Sequence, residues 1–216
     1  MALEVYRVDL TAASGSCRDN VCGVPDVDRP GTLPAEPLPV RLMNTVHAER
    51  GIVRDDLQRP ADLTAWLTAT GFVAARATAA DLQAARALRD ALRTIAAYVT
   101  HDDRQAAPAP RDDVAQALDV VNAHRRSTPP DHLVLTDDGL RREPPPAGHG
   151  VADGLAAVSA AATDLLTGPA ARPLRACHGP RCVRYFVQDH PRREWCSAAC
   201  GNRARAARHY RRHRDG

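Results

Sequence analysis

The residues best suited to chemistry are four cysteines near the C-terminal end of the chain. They form two close pairs with four and three intervening residues, and thirteen residues separate the pairs: Cys177, Cys182, Cys196 and Cys200. Two such pairs suit a tetrahedral Zn²⁺ site in which each pair holds one side of the metal. Four thiolates fill the coordination shell, whereas a catalytic zinc keeps one position open for water. The spacing therefore predicts one structural zinc ion and no catalytic residue.

Other potential ligands fit this pattern less well. His178 and His190 could replace a cysteine, but four thiolates leave them unneeded, so we expect both at the surface. Cys17 and Cys22 repeat the four-residue spacing. They lack a nearby second pair of ligands, so two ordinary thiols are favoured over a second metal site or a redox pair.

The zinc ligands need elements that hold them in place. Residues 184–187 have the pattern of a strand, and His190 with Pro191 that of a turn, which predicts a hairpin between the two pairs. Ser197 precedes a stretch of high helix propensity, so the second pair opens a helix. A segment this short cannot bury enough apolar surface alone, and zinc must supply much of its folding free energy. We expect its aromatic residues to form a small core: Tyr185, Phe186, Trp195 and Tyr210.

The C-terminal helix is expected to present two different sides. At 100° per residue, Cys196 and Cys200 share the side that faces the metal, and Arg203 lies with them. We therefore assign Arg203, Trp195 and Phe186 to structural support of the zinc site. The opposite side carries an arginine stripe with two flanking residues, and it predicts a nucleic-acid contact. These residues are Arg205, Arg208, Arg212, Asn202 and His209.

Charge is divided unevenly along the chain. All 29 basic residues are arginine, and twelve of them lie in residues 172–216 beside three acids, a net charge of +9. The other 171 residues carry 17 arginines and 23 acids, a net charge of −6. Residues 203–214 contain six arginines and no acid, so no ion pair within this stretch can relieve their repulsion. The asymmetry indicates a nucleic-acid partner, with a solvated charged helix as the plainer alternative.

The preceding part of the chain predicts an α+β body. Periodicity and caps indicate helices at about 61–70, 79–100, 111–126 and 151–167. In the third of these, Val114, Leu118 and Val121 share one face. The stretch HLVLTDDGL predicts a strand, an Asp-Asp-Gly turn and a return strand. The expected domains are an irregular lead with a strand near Tyr6 (1–37), a helix-rich domain with a small sheet (38–171), and a treble-clef or ribbon-like zinc finger with a basic helix (172–216).

Two motifs resemble known families. Residues 195–203 read WCSAACGNR, which resembles the signature of the CGNR zinc-finger proteins, although many members have four residues rather than three within the second cysteine pair. Residues 42–46 read LMNTV, similar to the Asn-Thr motif of the ABATE domain, and Trp66 lies in a similar following stretch. The resemblance implies a bacterial, stress-induced transcription regulator. Its finger would bind DNA, and its N-terminal domain would sense a signal or assemble the protein.

Two alternatives to a DNA-binding regulator stay open. One is RNA or ribosome binding, which exposed aromatic rings would favour; since the finger's aromatic residues are expected in its core, we favour duplex DNA. The other is a small-molecule-binding or enzymatic body with Asn44, His47 and Trp66 as candidate ligand-binding residues. We expect no enzyme, because phosphate-binding loops, metalloprotease helices and nucleophile elbows are missing from the sequence. The polar cluster at 47–56 is interpreted as a solvated loop.

Partners and location follow from simpler features. A homodimer is plausible because two copies of one short helix would recognise a DNA site twice as long. An unidentified small-molecule effector is compatible with a sensor domain. No run of 18 apolar residues is present, so we expect no membrane partner. Glu4, Arg7 and Asp9 fall where a signal peptide needs an apolar stretch, which predicts a cytoplasmic protein.

Overall fold

The computed structural model describes residues 36–72, 76–104, 113–126, 132–143, 150–167 and 173–214. The predicted strand near Tyr6 and the thiols of Cys17 and Cys22 lie outside these ranges. No helix in the described ranges is long and apolar enough to cross a membrane. The elements follow the order α1 (Leu38–Met43), β1 (Val46–Glu49), β2 (Ile52–Asp55), α2 (Pro60–Ala69), α3 (Ala79–Val99), α4 (Val114–Arg126), β3 (His132–Thr136), β4 (Gly139–Glu143), α5 (Val151–Thr167), β5 (Leu174–Ala176), β6 (Tyr185–Val187) and α6 (Ala198–Arg214).

Helix α3 is the centre of the body, and α1, α2, α4 and α5 pack against it. Its predicted N-terminal cap is confirmed: Thr78 Oγ1 accepts from the Asp81 amide, and the Asp81 carboxylate accepts from the Thr78 amide. Its apolar residues at spacings of three and four are buried, as the periodicity predicts. They include Leu82, Ala85, Leu88, Leu92 and Ile95.

The buried face of α4 differs from the predicted one. Ala117 and Val121 are buried, whereas Leu118 is 44% exposed, so the expectation that Leu118 faces the core is wrong. The hydroxyl of Ser159 on α5 donates to the Val121 carbonyl at 2.5 Å, which fixes this side of α4 toward α5. The small side chain of Ala117 allows the close approach, and it turns the larger Leu118 toward solvent.

The α+β fold class is confirmed, and the strands of the described residues form three small two-stranded sheets. The described strands pair only as β1–β2, β3–β4 and β5–β6, each antiparallel. The β3–β4 hairpin turns at Asp137 and Asp138, as predicted. The β1–β2 hairpin occupies the polar cluster that was interpreted as a solvated loop, and that interpretation is wrong. Its two strands are closed by Arg50 and Gly51, which both adopt positive φ.

The hairpin of the finger also closes differently from the prediction. Strand β6 is confirmed, but its partner β5 precedes the first cysteine pair, so the turn between Cys177 and Cys182 closes the hairpin. His190 and Pro191 lie in a separate turn after β6, in which the Arg193 amide donates to the His190 carbonyl. Local sequence indicates the turn correctly, but it cannot specify which segment pairs with β6.

The finger has a small core around its cysteines, as predicted, and it also contributes side chains to the core of the body. Ala176, Tyr185 and Val187 belong to the same buried apolar cluster as the body helices. Of the four expected aromatic core residues, Phe186 and Trp195 pack against the cysteines. Tyr210 is 74% exposed, because it lies far along α6, so its expected burial is wrong.

Candidate metal centre and nucleic-acid interface

The four cysteine thiols form one buried cluster. Their sulfur atoms all lie within 4.8 Å of one another. The Cys182 and Cys196 sulfurs are 3.8 Å apart, and those of Cys196 and Cys200 are 3.4 Å apart. Four sulfurs at about 2.3 Å from a tetrahedral zinc ion would be separated by about 3.8 Å. The donor set and its spacing therefore fit one structural Zn²⁺, as the sequence predicts.

Short turns and the first turn of α6 place these thiols. Gly179 lies against α6 so closely that a Cβ at this position would come within 3.0 Å of the Cys200 Cβ. The Ser197 hydroxyl accepts a hydrogen bond from the Cys200 amide and caps the helix that carries this ligand. The Cys196 amide donates to the Cys177 sulfur at 3.4 Å. Backbone amides and packing therefore hold the sulfurs together in the described fold.

The residues assigned to structural support surround the thiols. Arg203 donates to the Cys200 sulfur at 2.9 Å. The hydrogen bonds among the four thiols lower the pKa of Cys200 and raise those of Cys182 and Cys196, because neighbouring sulfurs share protons. Phe186 is buried among the cysteines, and a Cβ at Gly201 would lie 3.0 Å from the Trp195 ring.

Helix α6 has a buried side and a basic exposed side. The buried side holds Cys200, Gly201 and Ala204. Each residue of the predicted nucleic-acid contact is exposed: Asn202, Arg205, Arg208, His209 and Arg212. Arg205 donates to the Asn202 side-chain oxygen, which holds two of them together. Within the described part of α6, no arginine forms an ion pair with a carboxylate.

An arginine from the body holds the first cysteine turn. Arg104 lies just after α3, and its Nη1 contacts the carbonyl oxygens of Cys177, Cys182 and Arg184 at 2.9 to 3.2 Å. The same guanidinium stacks 5.0 Å from the centre of the Tyr185 ring. One body side chain therefore binds the segment on both sides of the cysteine turn.

Asp102 fixes the Arg104 guanidinium. Its carboxylate accepts from Arg104 Nη2 at 2.5 Å and from the Tyr185 hydroxyl at 2.7 Å. Burial alone would raise the pKa of Asp102, but the hydrogen bonds from Arg104 and Tyr185 outweigh it and lower the pKa to about 2. Burial and the bond to Asp102 raise the pKa of Tyr185 to about 12. The carboxylate is therefore ionised and the phenol neutral across the physiological range.

Two more body residues bind the backbone of the finger. The Asn44 side chain accepts from the Tyr185 amide at 3.0 Å and donates to the Tyr185 carbonyl at 2.8 Å, so it pairs with β6 as a strand would. The buried Arg93 donates to the Met43 and Val183 carbonyls at 3.0 and 3.1 Å. These contacts link α1, α3 and the finger into one unit.

The three candidate ligand-binding residues of the body have different surroundings. Asn44 uses both ends of its amide on β6. His47 is 15% exposed, and its Nδ1 lies 3.4 Å from Asp56. Trp66 packs against the helical core. The structure thus gives Asn44 a positioning contact, and a ligand role for the three residues stays a prediction.

Comparison with protein families matches both halves of the chain. A family model described as "Putative stress-induced transcription regulator", ABATE, matches residues 36–169. The chain belongs to the ABATE family. A second model, the CGNR zinc finger, matches residues 173–213 and coincides with the cysteine cluster and α6. A search of curated proteins found no match.

The residues that join the ABATE domain to the CGNR finger were missed by sequence reasoning. Asp102, Arg104 and Glu36 carry no local motif; Glu36 accepts from the Val187 amide and from Arg193 in the finger. Arg93 did carry a signal. It lies one position after Leu92 on the apolar side of α3, and an arginine there requires buried acceptors.

Proposed function

We propose that this ABATE protein is a zinc-dependent transcription regulator whose CGNR finger binds duplex DNA through α6. The observation that carries the proposal is the exposed cationic side of α6, which has no carboxylate partner among the described residues and is fixed by Cys200 to the cysteine cluster. Guanidinium groups bind phosphates and guanine edges with paired hydrogen bonds. A helix of 17 residues extends about 25 Å, long enough to lie in a major groove.

RNA binding is the second candidate, and one observation favours it. Tyr210 is exposed on α6, and its ring meets His209 edge-on at 6.1 Å. Exposed aromatic rings stack on unpaired bases. The expected burial of all aromatic residues in the finger therefore no longer counts against RNA binding. Duplex DNA stays the preferred partner, because arginines outnumber the single exposed phenol ring within the described part of α6.

One matching family is described as a transcription regulator and the other as a zinc finger, and on this basis we propose a non-enzymatic function. The body would then transmit a signal to the finger. A homodimer and a small-molecule effector stay predictions.

A binding titration separates the two candidates. Zinc-loaded protein is titrated against random duplex DNA and against random single-stranded RNA, each at two salt concentrations. The proposal predicts tighter binding to the duplex and a steep loss of affinity as salt rises. Preference for RNA would favour the second candidate. Binding to neither would contradict both and leave α6 as a protein-docking helix.

A further inference from the structure

The hairpin formed by β1 and β2 has an unusual tip. Arg50 and Gly51 form its two-residue turn, with φ values of 49° and 84°. Turns of this kind favour Asn-Gly or Asp-Gly, because both central residues adopt left-handed backbone conformations. An arginine at the first position therefore places an exposed cation at the tip where a smaller side chain would fit the backbone better.

The tip lies directly against the cysteine turn of the finger. The Arg181 side chain lies against Gly51, where a Cβ would come within 2.7 Å of Arg181 Nη1 and 2.9 Å of Arg181 Cδ. Arg181 itself adopts a left-handed conformation with φ of 58°. Two residues earlier, Gly179 contacts Cys200 in the first turn of α6. A continuous series of contacts thus runs from the hairpin tip to the start of the basic helix.

The base of the hairpin is fixed to the same finger. Asn44, two residues before β1, bonds the backbone of Tyr185. At the end of β2, Asp55 accepts from the buried Arg89 at 2.6 Å, which ties the strand to α3. The hairpin is therefore held at both ends relative to α6.

Exposed cations and apolar side chains cover this hairpin and the adjoining turn. Arg50, Arg54 and Arg181 are exposed, and among the described residues none of the three forms an ion pair with a carboxylate. The one exposed acid within the hairpin is Glu49. Ile52 is 58% exposed. Guanidinium groups beside aliphatic side chains suit a sugar–phosphate backbone, which presents anionic oxygens next to apolar sugar carbons.

From this arrangement we propose that the β1–β2 hairpin is a second nucleic-acid-binding element, which contacts backbone phosphates of the same duplex as α6. The hairpin belongs to the ABATE domain, so the domain takes part in binding rather than only sensing or assembly. This inference rests on the proposed function of α6. It assigns phosphate contacts to Arg50 and Arg54, with Arg181 completing the surface between the hairpin and the helix.

The test removes the two hairpin charges without disturbing the turn. Arg50→Asn places a residue that favours the left-handed conformation, and Arg54→Gln keeps a long polar side chain. The double variant is made in the full zinc-loaded chain and titrated against random duplex DNA over a range of salt. Losing two phosphate contacts should weaken binding about tenfold or more at low salt. It should also reduce the slope of log K against log salt by about 1.8.

Two control variants make the result specific. Arg125→Asn with Arg126→Gln removes the same charge from α4, where both arginines are exposed, and should leave the slope unchanged. Arg50→Lys with Arg54→Lys retains the charge and should have the salt slope of the wild-type protein, since the slope counts the phosphates that are neutralised.

Each outcome bears on one proposal. If the hairpin variant behaves like the α4 variant while an α6 arginine variant loses binding, the hairpin proposal is overturned and the function of α6 stands. If the lysine variant fails to restore the salt slope, phosphate contact is overturned and the hairpin side chains act through packing. If wild-type protein shows no salt-dependent duplex binding, the function proposed for α6 fails as well.

Discussion

Asp102 is a buried carboxylate that accepts hydrogen bonds from Arg104 and Tyr185, and it supplies the negative charge that balances the Arg104 guanidinium. Asp102→Asn keeps the shape of the side chain but removes the charge that balances Arg104. An uncompensated buried guanidinium should lower the free energy of unfolding by about 3 kcal/mol. Urea denaturation of zinc-loaded protein measures this change. Asp103→Asn is the matched control: Asp103 is exposed and adjacent, and its substitution should change stability by less than about 0.5 kcal/mol.

The pH dependence of the same contact has a definite sign. The pKa of Asp102 is lowered from its ordinary 3.8 to about 2 in the folded protein. The ionised carboxylate therefore stabilises the fold fully above about pH 4, and this contribution is lost as the pH falls toward 2. The stability difference between wild type and Asp102→Asn should shrink over that interval. A difference that grows on acidification, or an equal effect of Asp103→Asn, would contradict the assigned role.

Sequence reasoning could assign the ligands but not these supporting residues. The cysteine spacing is local, so it predicts the metal site directly. Arg104 and Arg93 bind carbonyls 73 to 90 residues away in the chain, and no local pattern encodes such partners. Only the position of Arg93 on the apolar face of α3 indicates that its guanidinium has buried hydrogen-bond acceptors.

At the scale of elements, caps and periodicity predict helices α2 to α5 well. The weakest prediction is the loop at residues 47–56, where the structure has the β1–β2 hairpin. The polar residues 47–56 suggested a loop because the strands are largely exposed and alternate poorly. Their Arg-Gly turn also departs from the preferred Asn-Gly. The β3–β4 hairpin was predicted correctly because its Asp-Asp-Gly turn separates two clear strand segments.

The exposed ring on α6 gives a test that distinguishes DNA from RNA. Tyr210→Ala should leave duplex DNA affinity nearly unchanged, since arginines rather than rings make the proposed contacts. It should also preserve the helix, because alanine has the higher helix propensity. If unpaired RNA bases stack on this ring, the same variant should weaken RNA binding by about 1 to 3 kcal/mol. Parallel titrations of wild type and Tyr210→Ala against both nucleic acids measure this, and a large loss of duplex DNA affinity would contradict a DNA contact made by arginines.

At the scale of the whole molecule, the finger and the ABATE domain depend on each other. The sequence predicts a finger with its own aromatic core, whose folding free energy comes largely from zinc. The structure gives a different expectation, because Ala176, Tyr185 and Val187 complete the core of the body helices. Such a shared core depends on contacts between distant segments, which local sequence patterns do not reveal.

Zinc loss should therefore destabilise both halves. Cys200→Ser, or chelation of the metal, should release the cysteine turn and weaken its bonds to Arg104. A loss of several kcal/mol should lower the melting temperature of the helical signal by about 10 °C. Circular dichroism melts with and without chelator measure this, and re-adding zinc to the chelated protein is the control. An unchanged body transition would show that the finger folds independently of the ABATE domain.

The central claim, that α6 is the nucleic-acid-binding surface, is tested most directly by the salt dependence of duplex binding. The triple variant Arg205→Ala, Arg208→Ala, Arg212→Ala should keep its zinc and its helix, because these side chains are exposed. Wild-type protein should bind random duplex DNA with a steep slope of log K against log salt. The triple variant should lose up to about 2.7 from that slope, at about 0.9 for each phosphate contact. Equal slopes for the two proteins would contradict the account.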